Sequence, residues 1–138
     1  MRQELDEALV RDFPYLFADR NGDMMQTCMC WGFECGDGWE PLLREAAEKL
    51  EPLCKAYAEQ MTKEEKECGG HPRASQVKEK YGTLRFYMSS ATDEMYSSIT
   101  QAEEKSETTC EVCGSTGKMR GHGWYYTACE EHTKEQDK

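Results

Sequence analysis

The segment Cys110-Glu-Val-Cys113-Gly114, followed after a fifteen-residue spacer by Cys129-Glu-Glu-His132, constrains this chain more than any other feature. The pattern is C-x2-C, a spacer, then C-x2-H. Two residues between ligands let one tight turn aim both side chains at the same tetrahedral ion, and three thiolates with an imidazole form a zinc donor set. Gly114 suits the position just past the second thiolate, where a positive φ is often needed. Thr127 and Glu130 have T-x-x-E spacing, which predicts a helix cap with Cys129 and His132 on the first turn of a short helix. The intervening GSTGKMRGHGWYY has the glycines and aromatic residues of a hairpin. Knuckle, hairpin and helix start together predict a treble-clef-like zinc module over residues 108–138. All four positions are supplied by protein, so the expected site is closed and structural, with no place for an activated water. Four coincidentally spaced buried residues are the competing account.

Eight cysteines in 138 residues are many for a chain expected to work in a reducing cytosol. That expectation rests on the absence of any apolar run near the ~20 residues of a membrane helix. The start MRQELDEALV also lacks the basic and apolar regions of a secretory signal. Reduced, clustered thiols serve either as metal ligands or as small buried apolar groups. Cys28, Cys30 and Cys35 form one such group, and Cys68-Gly-Gly-His71 offers a second C-x2-H pair. A second zinc or thiol cluster from Cys28, Cys30, Cys35, Cys68 and His71 is one reading. Buried free thiols are the other, because C-x-C spacing is uncommon for zinc. A catalytic thiol would need a base within reach, and no local signature ties His71 or His122 to one.

Charge narrows the partners. The chain carries 17 basic and 27 acidic residues, a net −10, which argues against a general duplex-DNA binder. Residues 71–89 are the exception, with four basic residues against one acidic. The sequence is otherwise hydrophilic, with a mean hydropathy of −0.89, and its 10% aromatic content argues against wholesale disorder.

Helical spacing of Leu5, Ala8 and Leu9 predicts a first helix over Arg2–Arg11, stopped by Pro14, with FPYLF packing as an apolar plug. Asn21-Gly22-Asp23 marks a turn, and Met24–Trp39 shows no regular element. Asp37 with Glu40 and Pro41 predicts the capped start of a long helix. Its stripe runs Trp39, Leu42, Leu43, Ala46, Ala47, Leu50, Leu53, Cys54, Tyr57, Met61, with a kink or break at Pro52. KEEKE at 63–67 reads as a solvated helix end before Gly69-Gly70. Period-two alternation in QVKEKYGTLRFYM (residues 76–88) predicts a hairpin about Gly82, with Leu84, Phe86 and Met88 on one face and Arg85 and Tyr87 on the other. A last helix follows over Ser90–Glu107, burying Met95, Ile99 and Ala102. The expected organisation is an α+β core over residues 1–107, with helices on a small antiparallel sheet, and the zinc module over 108–138.

The strings CMCWGFECGDGW (Cys28–Trp39) and VKEKYGTLRFY (Val77–Tyr87), with the C-terminal C-x2-C-G … C-x2-H segment, resemble a family of small proteins encoded by bacteriophages and prophages. The resemblance covers most of the chain from about Cys28 onward. It implies action inside a bacterial host cell and brings no catalytic residues, since the family has no assigned activity.

Three functional classes follow. The first is a stoichiometric binding protein that docks on a host protein, inhibiting a host defence factor, with the acidic helices at 40–67 and 93–107 steering association. The second is recognition of a nucleotide or single-stranded nucleic acid by cations and rings on the two hairpins. Lys78, Lys80, Arg85 and Tyr87 are its candidates on the first hairpin, and Lys118, Arg120, His122, Trp124, Tyr125 and Tyr126 on the second. These residues form one patch only if both hairpins share a face; taken singly, each is better explained as core or ordinary surface. The third is an enzyme, and it ranks last, because no P-loop, G-x-S-x-G, H-E-x-x-H or paired-carboxylate motif is present.

Overall fold

The computed structural model describes residues 1–67 and 69–138. Helical spacing at the start gives α1 (Gln3–Asp12), which buries Leu9 and ends before Pro14. The following plug drives Phe13, Leu16 and Phe17 into the core. A glutamate from further along the chain holds it there. The Glu51 carboxylate accepts from the backbone N–H of Tyr15 (2.6 Å) and of Leu16 (3.1 Å), satisfying two donors that no helix or strand takes up.

Met24–Trp39 is more ordered than its sequence suggests. It contains a 3-10 turn at Met29–Trp31, the two-residue strand β1 (Phe33–Glu34) and a 3-10 turn at Asp37–Trp39. Two residues are too few to show a period of two, so the strand left no sequence signal. A half-buried ion pair anchors this stretch. Arg20 Nε lies 2.9 Å from Asp6, Arg20 Nη1 donates to the Cys30 carbonyl (2.9 Å), and Phe33 N–H donates to Asp6 (3.3 Å).

The long helix is α2 (Glu40–Gln60). Asp37 does not cap it. The residue before the helix is Trp39, with no side-chain cap, while the Asp37 carboxylate takes the backbone N–H of Arg2 (2.7 Å) and pairs with its guanidinium (2.9 Å). Pro52 does not split the helix. It sits on the exposed side, where water can take the carbonyl bond that proline cannot. The buried stripe runs from Leu42 to Ala58, with Leu53 half-buried and Tyr57 exposed. KEEKE forms its own exposed helix, α3 (Lys63–Glu67), begun by a reciprocal capping box between Thr62 and Glu65 at 3.0 and 3.2 Å.

The predicted hairpin is β2 (Ala74–Lys80) and β3 (Thr83–Met88). Tyr81 and Gly82 between them both have positive φ, +54° and +83°, as a tight hairpin turn requires. The sheet is not purely antiparallel. β1 lies parallel to β2, with Phe33 beside Val77, giving the order β1-β2-β3. Val77, Leu84 and Phe86 point into the core, and the Phe17 ring meets that of Phe33 edge-on at 4.8 Å.

Thr92 caps α4 (Asp93–Ser106), which buries Met95, Ile99 and Ala102 against α2 and the sheet. It also blocks the free edge of β3. Ser106 Oγ accepts from Leu84 N–H (2.9 Å), and Glu103 accepts from Phe86 N–H (3.2 Å), so the edge offers no unpaired donors there to another strand.

The C-terminal segment is a second hairpin, β4 (Lys118–Arg120) with β5 (Tyr126–Ala128). The short helix expected at Cys129–His132 is absent; these residues form a turn that leads to a 3-10 turn at Glu135–Asp137. Thr127 explains the difference. It lies within β5, and its hydroxyl donates to the Gly82 carbonyl (2.6 Å) instead of capping a helix.

Candidate metal centre and the hairpin face

Two turns bring four side chains to one point. Gly114 N–H donates to the Cys110 carbonyl (2.9 Å), closing the first turn, and Cys110 N–H donates to Ser115 (2.7 Å). The second turn carries Cys129 and His132, and Thr133 Oγ1 ties it by donating to the Cys129 carbonyl (2.9 Å). Glu111 N–H donates to the Thr127 carbonyl (3.1 Å), fastening the first turn to β5 beside the second. The ligand atoms of Cys110, Cys113, Cys129 and His132 all lie within 4.8 Å of one another and could hold a metal ion. Cys113 and Cys129 sulfurs are 3.7 Å apart, and His132 Nδ1 is 3.2 Å from Cys129 Sγ and 3.7 Å from Cys110 Sγ. Ser115 donors hold the Cys113 thiol down to about 6, while burial pushes Cys129 up.

The centre is seated on the string Gly36-Asp-Gly-Trp39. Gly38 N–H donates to the Glu111 carbonyl (2.7 Å), Gly36 N–H to the Glu111 carboxylate (2.8 Å), and the Trp39 indole to the Thr109 carbonyl (2.9 Å). A Cβ on Gly38 would overlap the Cys110 carbonyl, and one on Gly36 the Glu111 carbonyl. Burial raises the Glu111 carboxyl above the ordinary range, against the bond from Gly36. Sequence reasoning missed this seam. Its only signal is two glycines flanking an aspartate before a tryptophan, and nothing local names a partner some 75 residues away.

The upstream cysteines behave differently. Cys28 is exposed, Cys30 Sγ donates to the Thr27 carbonyl (3.3 Å), and Cys35 is buried. Cys68 lies outside the described residues. His71 is held by the Tyr15 carbonyl (2.8 Å), its ring edge-on to that of Tyr15. Among the described residues no second group of three metal-capable side chains forms. Burial pushes the Cys35 thiol up to about 12, as befits a packed apolar group.

The two hairpins do share a face. The tip of β2–β3 rests on β5, with the bond from Thr127 to Gly82, and a Cβ at Gly82 would lie only 3.2 Å from the Tyr126 backbone. Lys78, Glu79, Lys80 and Tyr81 from the first hairpin and Trp124 and Tyr125 from the second line one cleft of about 260 Å³. Tyr81 and Tyr125 also border a groove of about 540 Å³ with Arg85, Met119, Glu103 and Glu104 of α4, and Glu107 just past its end. Lys78 and Arg85 are cross-strand neighbours. Trp124 is 76% exposed, Tyr81 63%, Met119 47% and Tyr125 43%.

Other candidates lie apart from this cleft or have structural work. Arg120 Nε bridges its own hairpin to the Ala128 carbonyl (2.9 Å). Tyr126 is half-buried, its hydroxyl donating to Asp137 (2.6 Å). His122 stands 3.3 Å from Asp137, and the two share a separate cleft with Trp124, Tyr126 and Lys134. Tyr87 is exposed opposite Gln76, and Lys118 is exposed on β4. Among the described residues no helix is long and apolar enough to cross a membrane. Comparison with protein-family models, curated proteins and solved structures finds no match to this chain.

Proposed function

We propose that the chain is a zinc-stabilised binding protein that holds its partner stoichiometrically, without turnover, on the face made by its two hairpins. Zinc is favoured by the donor set of three sulfurs and one imidazole nitrogen. A tetrahedron with Zn–S bonds near 2.3 Å has sulfur–sulfur edges of about 3.8 Å, and the Cys113–Cys129 separation is 3.7 Å. With four protein ligands the ion is structural: it holds β4–β5 against the tip of β2–β3. The two turns and the hairpin between them support a treble-clef-like reading, with a turn in place of the closing helix.

The observation that carries the reading is the gathering of Tyr81, Met119, Trp124 and Tyr125, all exposed, beside cations on one face. Exposed tryptophan and tyrosine with a flanking arginine are the residues that dominate binding energy at interfaces. The resemblance to bacteriophage and prophage proteins makes the bacterial cytoplasm the setting and a host protein, such as a defence factor, the partner. The acidic helices keep Glu48, Glu59, Glu94 and Glu104 exposed for steering, while others have structural work. Glu40, Glu45, Glu51 and Glu103 are engaged with Arg44, Lys105, the apolar plug and β3, respectively. A nucleotide or single-stranded nucleic acid is the second reading, favoured because Lys78 and Lys80 line the same cleft as Tyr81 and Trp124.

The test is capture from nuclease-treated bacterial lysate on immobilised, zinc-loaded protein. Wild type and Trp31→Ser, which alters an exposed residue outside the cleft, are expected to retain the same partner, and Trp124→Ser to lose it. Identical capture by all three sinks the assignment of the face.

A further inference from the structure

Tyr81 is an unexpected residue for its position. It occupies the first turn position of the β2–β3 hairpin with φ +54°, where asparagine, aspartate and glycine are preferred and a bulky side chain is disfavoured. Folding does not explain the choice, because the ring is 63% exposed. Lys80 Nζ, from the adjacent residue, lies 5.6 Å from the ring centroid. An aromatic ring held at a strained position, without burial, points to a use outside folding.

The opposing hairpin adds a second exposed ring. Trp124 is 76% exposed and lines the same cleft as Tyr81, Tyr125, Lys78 and Lys80. Rings from two separate elements offer stacking surfaces to a planar group, and the ammonium groups beside them suit a phosphate. Charge limits the ligand's length. With a net −10 the chain repels a long polyanion, and Glu79 lines the cleft beside Lys78 and Lys80, so the two ammonium groups suit a single phosphate rather than a run of them. A cleft of about 260 Å³ has room for one base with its sugar and phosphate, not for a duplex.

Resting on the hairpin face as the binding face, we infer that this cleft binds a nucleobase–phosphate ligand. Tyr81 and Trp124 stack on the base, and Lys78 and Lys80 meet the phosphate. A free nucleotide and the end of a single strand carry the same chemistry.

The experiment is a tryptophan-fluorescence titration of the zinc-loaded full chain with adenosine 5′-monophosphate, with single-stranded hexathymidylate, and with ribose 5-phosphate as the probe lacking a base. Saturable quenching by a base-containing probe and none by ribose 5-phosphate is expected. Response to the monophosphate identifies a free nucleotide, and response to hexathymidylate alone a strand. Tyr81→Gly and Trp124→Ala should each weaken binding roughly tenfold; binding by Trp124→Ala is followed with a fluorescently labelled probe. Lys78→Gln with Lys80→Gln should flatten its salt dependence. Tyr81→Gly has a second readout that a structural role would not give: glycine accepts the positive φ, so the thermal midpoint should hold or rise while binding falls. No saturation by either base-containing probe, or unchanged affinity in Tyr81→Gly and Trp124→Ala, overturns the inference. If neither probe binds but host-protein capture is still lost in Trp124→Ser, the nucleotide falls and the face stands. If capture is also unaffected, both fall.

Discussion

Residues 28–39 and 110–132 are built from the same materials, with three cysteines, several glycines and exposed tryptophan in each, yet they meet opposite fates. The later segment gathers its thiols. Its C-x2-C turn closes on itself through Gly114 and Cys110, and β4–β5 returns the chain to place Cys129 and His132 alongside. The earlier segment disperses its thiols: one exposed, one bonded to its own turn, one buried. Two of its glycines, Gly36 and Gly38, press against the backbone of the other segment. The lesson is that one cysteine-rich segment builds the centre and the other builds its seat, so composition alone does not identify metal ligands.

The largest predicted effect separates these roles outright. Cys110→Ser should abolish the bound ion and with it the order of residues 108–138, because structural zinc supplies about 10–16 kcal/mol of binding free energy in small modules. Native mass spectrometry should count one zinc in wild type and none in the variant. Amide exchange should show β4–β5 unprotected while β2–β3 stays protected. A variant that keeps its zinc would remove Cys110 from the ligand set.

Next in size is the seat itself. Gly38→Ala places a Cβ against the Cys110 backbone carbonyl, where neither partner is a flexible side chain. The strain should cost ~3 kcal/mol, read as a lower urea midpoint with the zinc count unchanged. A variant as stable as wild type would show that the seam can open without consequence, and that the two segments are only neighbours.

The cluster of Cys110, Cys113, Cys129 and His132 was legible because C-x2-C and C-x2-H are local patterns, each fitting one turn. The helices and the β2–β3 hairpin were legible for the same reason, since period and turn chemistry lie within a dozen residues. What escaped was nonlocal. β1 is two residues long and exists only because Val77 and Lys78 lie beside it. The Gly36–Trp39 seam and the meeting of Gly82 with Thr127 join segments that share no sequence pattern. Asp37 and Thr127 show the converse error. Each has a helix cap's spacing, and each was claimed by a tertiary partner, Arg2 and Gly82, respectively. The shared hairpin face could not be read from sequence, because it depends on that second meeting.

A smaller effect tests the buried thiol of the seat. Cys35 keeps its proton in the folded chain up to about 12, chiefly because burial disfavours the thiolate, whereas it ionises from its ordinary value of 9.0 when exposed. Its contribution is therefore complete below pH 9 and lost as pH rises from 9 toward 12. At pH 10 the loss should be ~1 kcal/mol. Cys54, fully buried in α2 and also pushed up to about 12, adds a second step of the same sign. Urea midpoints measured from pH 8 to 11 should fall more steeply in wild type than in Cys35→Ala. Equal slopes would mean that Cys35 ionises freely in the folded chain and that the seat is wet.

The smallest effect concerns Cys28. Its thiol is exposed and, among the described residues, belongs to no group of metal-capable side chains, so Cys28→Ser should change stability by less than ~0.5 kcal/mol, as surface substitutions do. The zinc count should be unaltered. Alkylation of the native, zinc-loaded chain with iodoacetamide should modify Cys28 first and spare Cys35 and Cys54 until denaturant is added, because a buried thiol is neither reachable nor ionised. Mass mapping of the labelled peptides reads the order directly. A lowered zinc count in Cys28→Ser would be the more damaging result despite the size of the substitution. It would mean that the earlier segment lends a ligand after all, and that the division between the segment that holds the ion and the segment that seats it is wrong.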